Sequence, residues 1–467
     1  MRVTKIIGIV IAIITIPLSF YNNIPVISLL PISVVVYDYY SKSINAVIMK
    51  SISVTIFYFV VFLRFVLLPF LISLSGEFYS IGRQPNLNFL NISIILMWIE
   101  LSIHFIIINY LSRKHLKPLL NNKEKKVYTN RTPKILLFYV FISAAMFLFF
   151  PELFKNFKFV FAGIDTETIS FFRGLDIRII LFSQILLYVF IIEYFSKKYN
   201  RSKNVLYYSF ALLIAILNIV IIRNENRASL LINSISTYLI LIYAFPNQKR
   251  FSLISGLIGV FVVILYVSIL RNEKYNIQLE LSNFSDILRT LQIQLQAYLS
   301  GPSYIANGLE QFANGAFFMN IKIMVTDILL WSGYVGNLIF ESLNLSTLNT
   351  SMIYNSNLYF GLTMYGSGDQ IIPLAVQGFA YFHIIGYFIV PLLMPFLMVV
   401  FEKKMILSKY LIVKYNYMTM VVVLSLYMGY NLSIIGLYFF DRFIIFGLFI
   451  FSGQAIYKIK KGKDYKL

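Results

Sequence analysis

The sequence predicts an all-α, polytopic membrane protein with about 12 transmembrane helices and one large extracytoplasmic loop that contains short helices. Apolar residues make up 59% of the 467 residues and charged residues only 13%, too little charge to cover a soluble protein of this length. The mean hydropathy is +0.76. Apolar runs of about 20 residues recur along the chain, and each is long enough to cross a bilayer as a helix.

Short polar segments separate these apolar runs, and twelve of the runs are expected to be spans. The first two are short and are joined by Tyr21-Asn-Asn23, so a hairpin that does not cross fully is an alternative that leaves the parity of the spans unchanged. The first run also resembles a signal peptide, but no Ala-x-Ala-like cleavage site follows it, and we expect it to be retained. The runs cover residues 6–20, 24–40, 46–72, 89–111, 135–153, 177–195, 205–222, 230–245, 251–270, 376–401, 410–428 and 432–454.

The runs divide the chain into three parts. Residues 1–270 form an N-terminal membrane bundle of about nine spans, residues 271–375 a large extracytoplasmic loop, and residues 376–467 about three spans followed by a basic cytoplasmic tail.

The large loop is expected to carry helices of its own. Asn283-Phe-Ser-Asp286 begins a pattern of apolar residues at helical spacing that Gly301-Pro302 ends, which predicts a helix lying on the bilayer or over the span ends. Residues 321–340 are apolar enough for a thirteenth span, but Lys322 and Asp327 interrupt the run. A re-entrant or surface segment is therefore predicted there.

The distribution of positive charge gives the orientation. The net charge is +20, which could suggest a nucleic-acid-binding surface. However, 27 of the 40 Lys and Arg residues lie in the segments that are cytoplasmic if both termini are inside. This is the positive-inside pattern of membrane proteins. Both termini are therefore expected in the cytoplasm, with the chain in the cytoplasmic (inner) membrane of a bacterium.

The type of cation also differs between the two sides. The predicted cytoplasmic segments hold 5 Arg and 22 Lys, whereas the outward side and the outer span ends hold 9 Arg and 4 Lys. Arginine grips phosphate or carboxylate with two parallel hydrogen bonds, which lysine cannot do. The outward arginines therefore favour an anion site. Snorkelling to the interface, or pairing with nearby Glu225 and Glu273, is the alternative.

Several classes of chemistry are excluded or disfavoured by missing residues. There are no cysteines, so disulfides and thiolate metal sites are excluded. Neither a phosphate-binding G-x-x-x-x-G-K-[ST] motif nor H-E-x-x-H occurs, and the 3 His residues are far apart in sequence. We expect no metal and no cofactor.

Candidate site residues concentrate on the predicted outer face. Two clusters that contain arginine, Arg223-Asn-Glu-Asn-Arg227 and Arg271-Asn-Glu, follow directly after apolar runs. His383 lies near the outer end of the tenth run, where it is either a general base or an interface-belt residue. The segment 344–369 is rich in amides and aromatic residues, a mixture that suits a sugar and equally an ordinary polar loop.

At these residues the sequence resembles the Wzy-type oligosaccharide repeat-unit polymerases of capsule and O-antigen assembly. The resemblance in architecture covers most of the chain: about a dozen spans, a basic cytoplasmic side and one large outer loop before the last spans. Locally, Ile222-Arg-Asn-Glu-Asn-Arg227-Ala-Ser-Leu-Leu resembles the Arg-containing segment that opens a mid-chain span in that family. Gly368-Asp369 through Gly378-Phe-Ala-Tyr-Phe-His383-Ile-Ile-Gly386 resembles the entry to the span after the large loop.

The resemblance implies a GT-C-like architecture and a substrate, an oligosaccharide linked to polyprenyl diphosphate. It implies polymerisation of repeat units on the outer leaflet, with polyprenyl diphosphate as the leaving group. Partners would be this lipid-linked oligosaccharide and the bilayer, with a flippase and chain-length regulators nearby, and no nucleic acid. The implied roles are diphosphate binding by Arg223, Arg227, Arg271 and Arg289, catalysis by Asp369 and His383, and glycan binding by Asn355, Asn357, Tyr359 and Tyr365.

Three other functions remain open from the sequence. A lipid-linked oligosaccharide flippase is favoured by intramembrane charges such as Arg64 and Glu100, but internal repeats are not evident and the long outer segment is unexplained. A ligase that moves finished glycan uses the same chemistry as a polymerase. A structural scaffold does not account for the outward arginines.

Overall fold

The computed structural model describes residues 2–48, 50–80, 83–121, 132–156, 158–159, 170–172, 174–222, 227–252, 254–256, 259, 283–313, 321–329, 333–343, 349–358 and 371–463. In this part of the chain nearly all regular structure is helical, and the pairing of Lys158–Phe159 with Ile221–Ile222 is a two-residue antiparallel bridge. The prediction of an all-α membrane protein is confirmed at this level.

The helices follow the predicted apolar runs closely, because each run is apolar on most of its circumference and is bounded by polar residues. Except for the run at 251–270, which lies mainly outside the described residues, every predicted run contains a helix. The helices are α1 (Arg2–Tyr21), α2 (Leu29–Tyr40), α3 (Lys42–Val47), α4 (Ile52–Ser75), α5 (Leu87–Asn121), α6 (Leu137–Phe149), α7 (Leu175–Ser202), α8 (Val205–Val220), α9 (Arg227–Ala244), α10 (Phe284–Leu299), α11 (Pro302–Ala313), α12 (Ile321–Leu329), α13 (Gly333–Ser342), α14 (Thr350–Leu358), α15 (Leu374–Leu407), α16 (Leu411–Ser425) and α17 (Leu432–Ala455, continuing to Lys463).

By length and composition, four of the described helices can cross a membrane: α4, α5, α7 and α17. Two bent pairs of helices raise this number to six if each pair is one span. One pair is α9 with Pro246–Gly256, bent by 117°. The other is formed by the two halves of α15, Leu374–Ile389 and Pro391–Leu407, bent by 54°. Shorter apolar helices lie at Lys5–Tyr21, Pro25–Tyr40, Lys134–Phe149, Val205–Val220 and Leu411–Ser425. The predicted span 46–72 begins later than expected, because residues 42–47 form the separate helix α3 and Ser51 caps α4 by accepting a hydrogen bond from Val54 N.

The first two helices form an antiparallel hairpin. Asn23 takes a left-handed conformation, with φ of 57°, in the connection between α1 and α2. The Lys5 ammonium near the start of α1 pairs with the carboxylate of Asp38 near the end of α2 at 2.7 Å. The two helix ends are therefore held together away from the turn.

One end of the bundle joins segments that the sequence assigns to the cytoplasm. The carboxylate of Glu402, in the last turns of α15, accepts hydrogen bonds from Ile52 N at 2.8 Å and from the Ser51 hydroxyl at 2.6 Å. Lys414 donates to the carbonyls of Met405 and Ile406, at 3.0 and 3.2 Å, and so caps the end of α15. These contacts fix α4, α15 and α16 to one another.

The opposite end joins segments that the sequence assigns to the outside. Helix α10 lies over the connection between α4 and α5, where Gln292 donates to the Glu77 carbonyl at 2.7 Å and Gln296 donates to the Tyr79 carbonyl at 3.0 Å. The helix expected between Asn283 and Gly301 is thus present, with Asn283 at its N-cap.

Helix α10 buries its polar face and exposes apolar residues. Both glutamines are fully buried, whereas Phe284 is 69% exposed and Leu291 48% exposed. This orientation suits a helix whose outer surface contacts lipid.

Helix α11 is inserted into the bundle. Nearly all its residues are buried, and it packs against α5 and α15. Gly308 allows this packing, because a Cβ atom there would overlap the side chain of Val376. Within residues 321–340 the described parts are two short helices, α12 and α13, which contact each other and the first half of α17, and residues 330–332 between them lie outside the described residues.

Candidate functional site

Five of the residues expected in the site lie outside the described residues: Arg223, Arg271, Tyr359, Tyr365 and Asp369. Two more are described only as backbone, Arg227 as the first residue of α9 and Asn357 within α14. The side chains of His383, Arg289 and Asn355 are described, and each lies in a different setting.

His383 lies at a break in α15. Its φ and ψ are 55° and −145°, a region that L-residues seldom adopt, and the preceding residue Phe382 is also non-helical at −135° and 23°. The His383 side chain is exposed, with its ring 4.6 Å from the ring of Phe379. The break therefore presents an imidazole at the end of the bundle where the predicted outer loop rejoins it.

The two glycines of the segment resembling the polymerase family explain how the break is accommodated. A Cβ atom on Gly386 would overlap the carbonyl oxygen of Gly378, so the two turns approach at a distance that only glycine permits. Breaks of this kind are tolerated at membrane depth where the freed backbone groups line a cavity or are covered by protein.

Behind the break lies a buried hydrogen-bonded group, the Asp327 cluster, which consists of Asp327, Thr350, Gln377 and Tyr381. The Asp327 carboxylate accepts from Thr350 N at 3.1 Å, from the Thr350 hydroxyl at 2.6 Å and from Gln377 Nε2 at 3.3 Å. The Tyr381 hydroxyl donates to the same carboxylate. Gln377 also accepts from Leu432 N at 2.6 Å. One carboxylate thus joins α12, α14 and α15, and through Gln377 also α17.

The electrostatics of this cluster are dominated by burial. Asp327 is fully buried, and the loss of solvent raises the pKa of its carboxyl from 3.8 to about 6, although the hydrogen bonds from Thr350, Tyr381 and Gln377 oppose the rise. The four donors to the carboxylate, two from Thr350 and one each from Gln377 and Tyr381, all belong to the protein itself. The cluster therefore holds the neighbouring helices together. From the sequence, Asp327 is identified only as a charge that interrupts the apolar run at 321–340, and the carboxylate inside this otherwise apolar segment is the signal that marks the cluster.

Asn355 and Arg289 lie in surroundings unlike that of His383. The amide nitrogen of Asn355 donates to the Ser351 carbonyl at 2.8 Å, and the side chain is buried within the protein. Arg289 is exposed on α10, with its guanidinium 5.5 Å from the centre of the Tyr79 ring. The described contacts do not bring Arg289 to His383 or to the start of α9.

An ion pair lies inside the membrane bundle beneath α10 and α11. Arg64, in a π-helical turn of α4, forms two hydrogen bonds with Glu100 of α5, at 3.1 and 3.2 Å, and both side chains are buried. Arg64 Nε also donates to the carbonyl of Ser300 at 3.2 Å. Ser300 joins α10 to α11, so the pair connects the bundle to the outer helices.

His104 belongs to the same interior region. Its Nε2 lies 2.7 Å from the Tyr427 hydroxyl, and the side chain is buried. His104 thus faces the interior of the bundle with a polar partner, as ionisable residues in membrane helices almost always do.

In the part of the chain that the structure describes, His, Asp and Glu side chains nowhere form a group of three able to hold a metal ion. No family model, curated protein or solved structure matches this chain.

Proposed function

We propose that this chain polymerises polyprenyl-diphosphate-linked oligosaccharide repeat units into a capsule or O-antigen on the outer face of a bacterial cytoplasmic membrane. In this proposal about 12 spans hold both termini in the cytoplasm, and residues 271–375 form the outer loop. The observation that carries the proposal is the break at His383, an exposed imidazole on strained backbone where that loop rejoins the bundle.

The proposed reaction is a glycosyl transfer. A hydroxyl oxygen of the acceptor glycan attacks the anomeric carbon of the donor, the bond from that carbon to the diphosphate oxygen breaks, and polyprenyl diphosphate leaves with the electron pair. His383 or Asp369 takes the proton of the acceptor hydroxyl. The diphosphate linkage supplies the driving force, so the reaction needs no nucleotide.

The remaining residues have binding roles in the proposal. Arg223, Arg227 and Arg271, with Arg289, bind the diphosphate and stabilise the charge that develops on it as it leaves. The sugars contact the segment that contains Asn355, Asn357, Tyr359 and Tyr365. Support comes from the position of Arg227 as the first residue of α9, because the N-terminus of a helix favours an anion.

The decisive experiment uses a strain that lacks this chain. Its lipid-linked glycans are extracted and sized beside the surface polymer, and the strain is complemented with wild type, His383→Ala or His115→Ala at equal protein level. His115 lies in a π-helical turn near the C-terminal end of α5, in a segment that the sequence assigns to the cytoplasm, and is the matched control. We expect single repeat units facing outward and loss of long polymer in the deletion and in His383→Ala, with normal polymer in His115→Ala.

The same measurement identifies the alternatives. Unchanged polymer in His383→Ala contradicts the role of that residue. Full-length polymer accumulating on the lipid carrier indicates a ligase, and repeat units trapped on the cytoplasmic leaflet indicate a flippase.

The flippase is the second candidate because of two specific features. The pair Arg64–Glu100 is buried in the bundle, and α15 is discontinuous; both occur in transporters, where broken helices and intramembrane charges line the substrate path.

A further inference from the structure

Arg442 is a charged residue in the middle of a membrane-spanning helix. It lies in a π-helical turn of α17, Tyr438–Ile444, about 15 Å along the axis from Leu432 at 1.5 Å per residue. Its side chain is half-buried, whereas Arg64 is 1% exposed. Charges at this depth are costly and mark substrate paths or paired networks, and π-helical turns frequently occur at functional sites.

The contacts of Arg442 hold it in place without neutralising it. Its Nη1 donates to Asn233 Oδ1 at 3.3 Å, and its guanidinium carbon lies 5.8 Å from the ring centres of both Tyr438 and Phe446. Among the side chains that the structure describes, which do not include that of Asp441, no carboxylate forms an ion pair with it. Arg64 differs in this respect, because its guanidinium forms an ion pair with the carboxylate of Glu100.

The contacts of Arg442 with the described residues occupy few of its guanidinium donors. Arginine carries five N–H donors, and Asn233 accepts from one of its nitrogens. Aromatic rings contact the guanidinium through their faces, so they do not occupy its hydrogen-bonding edges. An arginine held in this way is prepared to form two parallel hydrogen bonds with a phosphate.

The residues next to Asn233 form a polar layer inside the bundle. Asn218 of α8 donates to the Thr237 hydroxyl at 2.9 Å, and Gln184 of α7 donates to Asn218 Oδ1 at 3.3 Å. Amide and hydroxyl groups at this depth offer hydrogen bonds to a phosphate group, so that its charge is not buried without polar partners. Arg442 is the cation of this layer among the described residues.

The position of Asn233 connects this layer to the candidate diphosphate site. Asn233 is six residues after Arg227, the first residue of α9, which is about 9 Å along the helix axis. Asn233 therefore lies deeper in the bundle than the start of α9, and its hydrogen bond to Arg442 places the guanidinium at that depth.

We propose that Arg442, oriented by Asn233, binds the phosphate nearest the lipid in a lipid-linked diphosphate. The inference rests on the proposed function and extends its diphosphate site from the start of α9 into the membrane. The ligand chemistry is a diphosphate anion, carried on a polyprenyl chain or free in solution.

The test measures ligand binding, not polymer. Full-length protein in nanodiscs is titrated with polyprenyl diphosphate and, separately, with inorganic pyrophosphate. The variants are Arg442→Gln, Arg442→Lys and Asn233→Asp, with Arg201→Gln, an exposed arginine in the last turn of α7, as the control. Melting temperatures show which variants retain the fold.

We expect Arg442→Gln to weaken polyprenyl diphosphate at least tenfold, Arg442→Lys to weaken it less, and Arg201→Gln to leave it unchanged. Asn233→Asp keeps the arginine but places a carboxylate against it, so it is expected to lower the affinity tenfold while the melting temperature is kept or raised. Wild-type affinity in a folded Asn233→Asp or Arg442→Gln protein overturns the proposal.

The two ligands identify the source of the anion. If inorganic pyrophosphate binds as tightly as the lipid, the site takes a free diphosphate; if only the lipid binds, it takes the lipid headgroup. A strain lacking the chain that traps repeat units on the cytoplasmic leaflet would refute the polymerase but not the Arg442 site, so the two failures are distinguishable.

Discussion

The buried carboxyl of Asp327 makes the stability of this protein depend on pH. Burial raises its pKa from 3.8 in the unfolded chain to about 6 in the folded one. Between these values the folded protein holds a proton that the unfolded chain has released, so the free energy of unfolding falls as the pH rises from about 4 to about 6 and is constant above. At about 1.4 kcal/mol per pH unit, the full difference is about 3 kcal/mol.

The variant Asp327→Asn removes this titration and keeps the volume and one acceptor oxygen. We expect the free energy of unfolding of wild type, relative to the variant, to fall by about 2 kcal/mol between pH 4.5 and pH 7. The measurement is reversible denaturation with SDS in mixed micelles at both pH values. Glu152→Gln, which changes an exposed carboxylate, is the control and should follow wild type.

The outcome has a clear sign. If wild type and Asp327→Asn change in parallel between the two pH values, the carboxyl of Asp327 is ionised throughout, and the four donors around it outweigh its burial. If wild type instead becomes more stable as the pH rises, the reasoning is refuted.

Two further predictions concern packing and charge inside the membrane bundle. Gly386→Ala places a methyl group against the Gly378 carbonyl, and we expect the free energy of unfolding to fall by about 1–3 kcal/mol, seen as a lower melting temperature. The control is Gly8→Ala, where nothing lies within 4 Å of the added methyl group, and it should leave the melting temperature unchanged. Equal melting temperatures for the two variants would contradict the close approach of the two glycines. Arg64→Met leaves Glu100 as an unpaired buried charge and is expected to cost about 3–5 kcal/mol, most of which is regained in the double variant Arg64→Met/Glu100→Leu. A double variant no more stable than the single one would show that the pair is not coupled.

The helices were predictable from sequence because apolar runs and their polar ends are local signals. The end of α10 at Leu299 agrees with the Gly301-Pro302 signal. The burial of Gln292 and Gln296 was not predictable, because glutamine is ordinarily a surface residue and their acceptors are carbonyls more than two hundred residues earlier in the chain.

The candidate site was predictable only in part. The two glycines around His383 indicated an unusual local structure, but the break itself depends on how the turn at Gly386 packs on Gly378. The Asp327 cluster joins residues from several separate helices, and no local pattern connects a carboxylate at 327 with a threonine at 350 or a tyrosine at 381. Long-range hydrogen bonding of this kind is a property of the tertiary structure.

The position of Arg64 and Glu100 has a consequence for how the chain is made. The two residues are on successive membrane helices, so each charge opposes insertion, by a few kcal/mol for an arginine at the centre of a helix, until its partner arrives. Insertion of α4 and α5 together, as a hairpin in which the two charges are paired, therefore costs less than insertion of either helix alone. The Ser300 carbonyl, which accepts from Arg64 Nε, lies about two hundred residues after Glu100 in the chain. An early part of the polypeptide thus provides a contact to which the outer helices α10 and α11 attach.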